Sequence, residues 1–134
     1  MRIITNRATF KKKFIRALRK FLRENFSDIY NKLEIVFVSD STMRKYNRRF
    51  SGKNKSTDVL SFDIDKTYVI IVSVDTARKN AILYGEKFED EVLRYVVHGI
   101  LHLLGFDHKV EAFKEKMRNK EEEMMEKWKV YYYY

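Results

Sequence analysis

The chain contains no cysteine. That single absence excludes a disulfide framework, a disulfide-linked partner, thiolate zinc sites and cysteine nucleophiles together. Proline is also missing and glycine occurs only four times in 134 residues, so each glycine is worth locating individually. No apolar run approaches the roughly 20 residues that a membrane span requires. The opening segment, MRIITNRATFKKKF, lacks the apolar stretch of a secretory signal. A cytoplasmic location with no membrane partner is therefore expected. What is present is a hydrophobic share of 45%, enough for a packed core and incompatible with intrinsic disorder. Lys and Arg number 28 against 19 Asp and Glu, giving a net charge of +9. At this length one domain over residues 1–134 is expected.

Met1–Thr5 reads as a short edge strand. Phe10, Phe14, Ala17, Leu18, Phe21, Leu22 and Phe26 recur at helical steps, and Arg7, Lys11, Lys12, Lys13, Arg16, Arg19, Lys20 and Arg23 occupy the other side. That basic side is a solvated surface, a nucleic-acid contact or a membrane-surface face. Leu33–Val38 has the β-branched and aromatic content of a buried strand, and the cap residues Ser39–Thr42 open a helix through about Arg49. Phe50–Ser56 reads as a loop, and Thr57–Asp63 and Tyr68–Ser73 as strands joined at Asp65–Thr67. Helices follow over Asp75–Tyr84, Lys87–Leu104 and Val110–Val130, the last with Phe113, Met117, Met124, Met125 and Trp128 as its buried side. The tail Tyr131–Tyr134 is either a frayed end or an apolar terminus that packs or meets a partner. The pattern predicts an α/β (α+β) class: a small mixed sheet packed with about five helices.

All three histidines fall within eleven residues, in His98-Gly-Ile-Leu-His102-Leu-Leu-Gly-Phe-Asp-His108. On a helix His98 and His102 are offset by only about 40° and one turn, so both rings can grip one ion. A continuing helix would carry His108 about 15 Å along the axis, far beyond zinc–nitrogen bonds of ~2.0–2.1 Å. A chain reversal is needed, and Gly105 stands where a left-handed helix end supplies it. The bland alternative is a set of core histidines bonded to backbone carbonyls. Three imidazoles buried together without an ion would each need partners for their nitrogens. Three neutral imidazoles suit zinc, with nickel, copper or cobalt as competitors, and leave a fourth position open for water. The spacing matches an extended zinc-protease signature, but the glutamate general base of that signature is replaced by Gly99, which has no side chain.

His98–His108 (HGILHLLGFDH), Thr57–Phe62 (TDVLSF), Ser73–Ala81 (SVDTARKNA) and the final Glu/Met-rich helix together resemble the YbeY family over about residues 33–128. These are bacterial rRNA maturation factors described as metal-dependent endoribonucleases. The resemblance implies a four-stranded mixed sheet, one zinc per chain bound by His98, His102 and His108, and action on single-stranded RNA at the 3′ end of small-subunit rRNA during ribosome assembly. The partners it implies are rRNA and the small ribosomal subunit. The chain departs from the family at Ser51, where members carry arginine, at Tyr68-Val69, where they carry Gly-Asp, and at Ser56, where they carry proline. The arginine's role is not carried over to Ser51.

Residues 44–55 (RKYNRRFSGKNK) hold six cations and no acid. Arg48, Arg49, Lys53 and Lys55 are the candidate RNA-binding residues, since phosphate contacts drive sequence-independent RNA affinity. Tyr46 and Phe50 either stack on unpaired bases or pack in the core. Zinc would lower the pKa of a water or polarise a scissile phosphate. Asp107 is the expected partner orienting a histidine, Asp58 and Ser61 are expected to line the cleft, and no side chain stands out as general base. Two other functions fit the same residues: a non-catalytic, zinc-stabilised ribosome-assembly or RNA-binding protein, and a zinc hydrolase of another substrate.

Overall fold

In the computed structural model, which describes residues 1–106 and 111–134, the apolar spacing near the N-terminus becomes helix α1 (Lys12–Asn25). Its stripe buries Phe14, Ala17, Leu18, Phe21 and Leu22, while Lys12, Lys13, Arg16 and Lys20 face solvent. Before it lies β1 (Arg2–Ile4), and after it a single 3-10 turn leads into β2 (Leu33–Val38). Helix α2 (Asp40–Ser51) precedes the strand pair β3 (Val59–Ile64) and β4 (Thr67–Ser73). Three helices complete the chain: α3 (Val74–Tyr84), α4 (Phe88–Leu103) and α5 (Glu111–Tyr132).

The sheet order is β1-β2-β4-β3, with β1–β2 and β2–β4 parallel and β3–β4 antiparallel. β1 is an edge strand, as the sequence suggests. The expected four-stranded mixed sheet with five α-helices is what the chain forms. Strand β2 alternates, burying Leu33, Ile35 and Phe37. In β4, Ile70 to Ser73 are all buried, because a central strand covered on both faces has no solvent side. Asp65 and Lys66 both take positive φ (48° and 68°), the geometry of a two-residue hairpin turn that matches strand twist. Helix α4 lies against β3 and β4 and is apolar nearly all round, with Val92, Leu93, Val96, Val97, Ile100 and Leu101 buried.

Three expectations change. Phe50 and Ser51 belong to α2 rather than to a loop, since the helix continues to the left-handed Gly52. β3 begins at Val59 rather than Thr57; Asp58 still accepts from the Ser73 N–H (2.9 Å) through its carbonyl, while its carboxylate turns back onto the Val59 N–H (2.7 Å). Phe113 is exposed: the buried face of α5 begins at Met117, and the first turn projects beyond the core, where Lys116 lies over the Phe113 ring. The tyrosine tail packs instead of fraying. Tyr131 meets Phe21 edge-on, Tyr132 is buried against Trp128 and Phe14, and Tyr133 donates to Asp90 (2.6 Å). Burial first, and then that hydrogen bond, hold the Tyr133 phenol well above its ordinary pKa.

The starts of α2 and α3 are tied by one carboxylate. Ser73, Thr76 (2.8 Å) and Ser56 (3.1 Å) all donate hydroxyls to Asp40 Oδ1, and the Asp40 N–H donates to Asp75 (2.8 Å). Burial alone would raise the Asp40 pKa, but the three hydroxyls, helped by Lys79, outweigh it and hold it below its ordinary value of 3.8. A depressed carboxylate contributes stability that is complete above the unfolded-state pKa and is lost as pH falls through the folded one. Asp40→Asn should therefore cost about 1 kcal/mol at neutral pH, a charged hydrogen-bond cluster discounted for partial exposure. Urea melts should show that difference shrinking below about pH 4. A difference independent of pH would rule out the charge as its source.

Candidate metal and RNA site

Helix α4 places His98 and His102 one turn apart, and both line a cavity of about 330 Å³. Ser51 from α2, Asp58, and Val59 to Phe62 from β3 complete its wall with Gly99. The expected positions of Asp58 and Ser61 in the cleft are those observed. Asp58 is held by the Val59 N–H and the Thr57 hydroxyl (3.3 Å), and its carbonyl accepts from the Ser73 N–H (2.9 Å). It is the one carboxylate among the described residues of this cavity.

Gly99 explains why the helix can lie so close. A Cβ there would sit 2.9 Å from Ile70 Cγ2 and 3.3 Å from Val59 Cγ2. A glutamate has no room at this position, so the protease-type general base is excluded by packing as well as by sequence. The end of α4 is built as expected. Gly105 takes φ +98°, its N–H bonds the His102 carbonyl (3.2 Å), and the Phe106 N–H reaches back to Leu101 (3.1 Å). This is the paired closure of a left-handed helix end, and it turns the chain immediately after His102. His108 and Asp107 lie outside the described residues.

The sequence missed Glu121. His98 Nδ1 and Glu121 Oε1 form a short hydrogen bond that joins α4 to α5. That bond raises the His98 pKa above the ordinary imidazole value, against the opposing effect of burial. A signal existed: Glu121 falls four residues after Met117 and four before Met125, on the side of α5 that otherwise carries apolar residues. A second cavity, of about 380 Å³, opens on this side of His98, lined by Glu111, Lys114, Met117, Arg118 and Glu121.

The candidate RNA-binding residues Arg48, Arg49, Lys53 and Lys55 are all exposed. Arg48 lines a separate cavity on α2 with Arg44, Lys45 and Asn54, and the Arg49 guanidinium lies 5.7 Å from the Phe50 ring centre. The segment reaches the histidine cavity itself only through Ser51. Phe50 is half exposed, stacked on Tyr46 (6.1 Å) and packed against Phe62 (4.9 Å), so this aromatic pair stands at the surface beside the cleft.

A small mixed sheet, a buried helix carrying two histidines on one cavity wall, and a basic helix beside it define a compact α/β protein with a histidine-lined cleft next to a cationic surface. A family model, that of Endoribonuclease YbeY, matches residues 2–129. The Nautilia profundicola Endoribonuclease YbeY is 40% identical over 111 residues, spanning 75% of this chain and 78% of that protein. The Persephonella marina Endoribonuclease YbeY is 33% identical over 131 residues, spanning 90% and 86%. The solution structure of TM1509 from Thermotoga maritima superposes with a TM-score of 0.65 at 27% identity, covering 96% of this chain and 91% of that one. The chain belongs to the endoribonuclease YbeY family. No helix among the described residues is long and apolar enough to cross a membrane.

Proposed function

We propose that the chain is a cytoplasmic, zinc-dependent endoribonuclease that cuts single-stranded RNA at the 3′ end of small-subunit rRNA during ribosome assembly, with the zinc held by His98, His102 and His108. The observation that carries this reading is the His98–Glu121 bond beside a cavity shared with His102. A neutral imidazole that donates Nδ1–H to a carboxylate carries its lone pair on Nε2, the tautomer that a metal-binding histidine needs. The donor chemistry fits as well: imidazoles without thiolates suit a catalytic zinc site that keeps an open position. Bound there, the cation supplies Lewis acidity towards the scissile phosphate and the attacking water.

The chain's own residues do the remaining work. Glu121 holds His98 in orientation and tautomer. Asp58 lines the same cavity as the histidines and adds negative charge near His98. Arg48, Arg49, Lys53 and Lys55 hold the RNA backbone by charge, so affinity should fall steeply with salt. Phe50 and Tyr46 offer a stacking surface to unpaired bases.

The test is metal removal. Protein stripped with a chelator should lose cleavage of a single-stranded RNA carrying the 3′ end of small-subunit rRNA and should regain it on adding zinc. Equal cleavage with and without metal would sink the reading. RNA binding without cleavage by the zinc-loaded protein would point to the assembly role instead.

A further inference from the structure

Two cavities meet at His98. The one shared with His102 has no cation in its wall among the described residues. Beyond the one phosphate that a cation held by the histidines would meet, a phosphodiester strand entering it needs positive charge from its margins. One margin is the basic segment 44–55, which reaches the cavity through Ser51. The other is α5, where Lys114 and Arg118 line the second cavity together with His98.

Lys114 and Arg118 stand four residues apart on α5, so they share one face of the helix. Both are exposed. Among the described residues neither has an ion pair, whereas other cations of the same helix are engaged. Lys120 (3.4 Å) and Lys127 (3.3 Å) meet Glu123, and Lys129 meets Glu126 (3.0 Å). Lys116 lies over Phe113. Of the two acids in the cavity, Glu121 is taken by His98, which leaves Glu111 against two cations. The cations facing His98 are thus the ones the helix does not neutralise for itself.

We propose that Lys114 and Arg118 form a phosphate-binding subsite that grips the backbone of single-stranded RNA where it leaves the histidine cavity along α5. The planar fork of Arg118 suits two phosphate oxygens at once, and Lys114 adds a mobile point charge. The inference rests on reading the histidine cavity as an RNA site, and its test separates the two.

A labelled, phosphorothioate-protected RNA oligonucleotide is titrated with zinc-loaded protein at several salt concentrations. Each phosphate contact on a single strand contributes a slope of roughly 0.7 in log K against log salt, so losing two removes about 1.4. Lys114→Ala with Arg118→Ala should show that shallower slope and roughly tenfold weaker binding near physiological salt. Lys114→Arg with Arg118→Lys should keep the native slope, and Lys127→Ala with Lys129→Ala should leave affinity and slope unchanged. If the first pair binds as the native protein does, or if the Lys127/Lys129 pair weakens binding equally, the subsite is overturned while the cleft reading stands. If the native protein binds no RNA, the cleft reading falls and the subsite with it.

Discussion

Replacing His102 with alanine is expected to abolish zinc binding and RNA cleavage. His102 is exposed, so its truncation leaves no cavity in the core. A partner that only orients a ligand typically accounts for about 10–100-fold in metal affinity or activity, so losing a ligand itself should exceed that range. Glu121→Gln tests the smaller effect. It keeps the shape but removes the charge that stabilises the Nδ1–H tautomer of His98, and should weaken zinc by about 10–100-fold. Elemental analysis and a zinc titration followed by thermal melting distinguish the variants, because a ligand that binds only the folded state stabilises it by RT ln(1 + c/Kd) at free concentration c, so a weaker site needs more zinc for the same rise in Tm. The native protein should show that rise, Glu121→Gln only at higher zinc, and His102→Ala not at all. Zinc retention by His102→Ala at the native level would remove His102 from the metal site.

Much of this arrangement was legible in the sequence because it depends on local chemistry. The stripe of α1 buries the residues its spacing selects, and Ser39 caps α2 by accepting from the Thr42 N–H (3.3 Å). Gly105 turns the chain because no other residue adopts its φ of +98° without strain. What was not legible depends on register between distant elements. α5 carries Glu121, Glu122 and Glu123 in a row, and only the packing of the helix decides that the first meets His98, the second Arg94 and the third two lysines of its own helix. The exposure of Phe113 has the same origin: it stands one helical turn before Met117 on the same side of α5, but the helix has not yet reached the core there. The three hydroxyls on Asp40 come from segments 16 to 36 residues away, a convergence that no local pattern announces.

The second large effect concerns the docking of α5. Trp128 is 1% exposed, meets Phe14 and Phe21 edge-on, stacks on Tyr132 and donates its indole N–H to Asp90 (3.1 Å). Trp128→Ala should cost about 3–5 kcal/mol, the range for deleting a large buried aromatic side chain. For a chain of 134 residues that corresponds to a fall in Tm of roughly 10–20 °C. Trp128→Phe should cost much less. It retains part of the ring contact and loses one hydrogen bond worth about 1 kcal/mol, and Tyr133 still satisfies the Asp90 carboxylate. The two variants also separate stability from function. Trp128 holds α5 against α1, and α5 holds Glu121 against His98, so Trp128→Ala should weaken zinc binding although Trp128 lies about two turns along α5 from Glu121 and does not line the histidine cavity. Calorimetry and zinc titration on the same samples check both effects. Native zinc affinity in a Trp128→Ala protein that melts at the expected lower temperature would show that Glu121 is positioned by the His98 bond itself and not by the seat of α5 in the core.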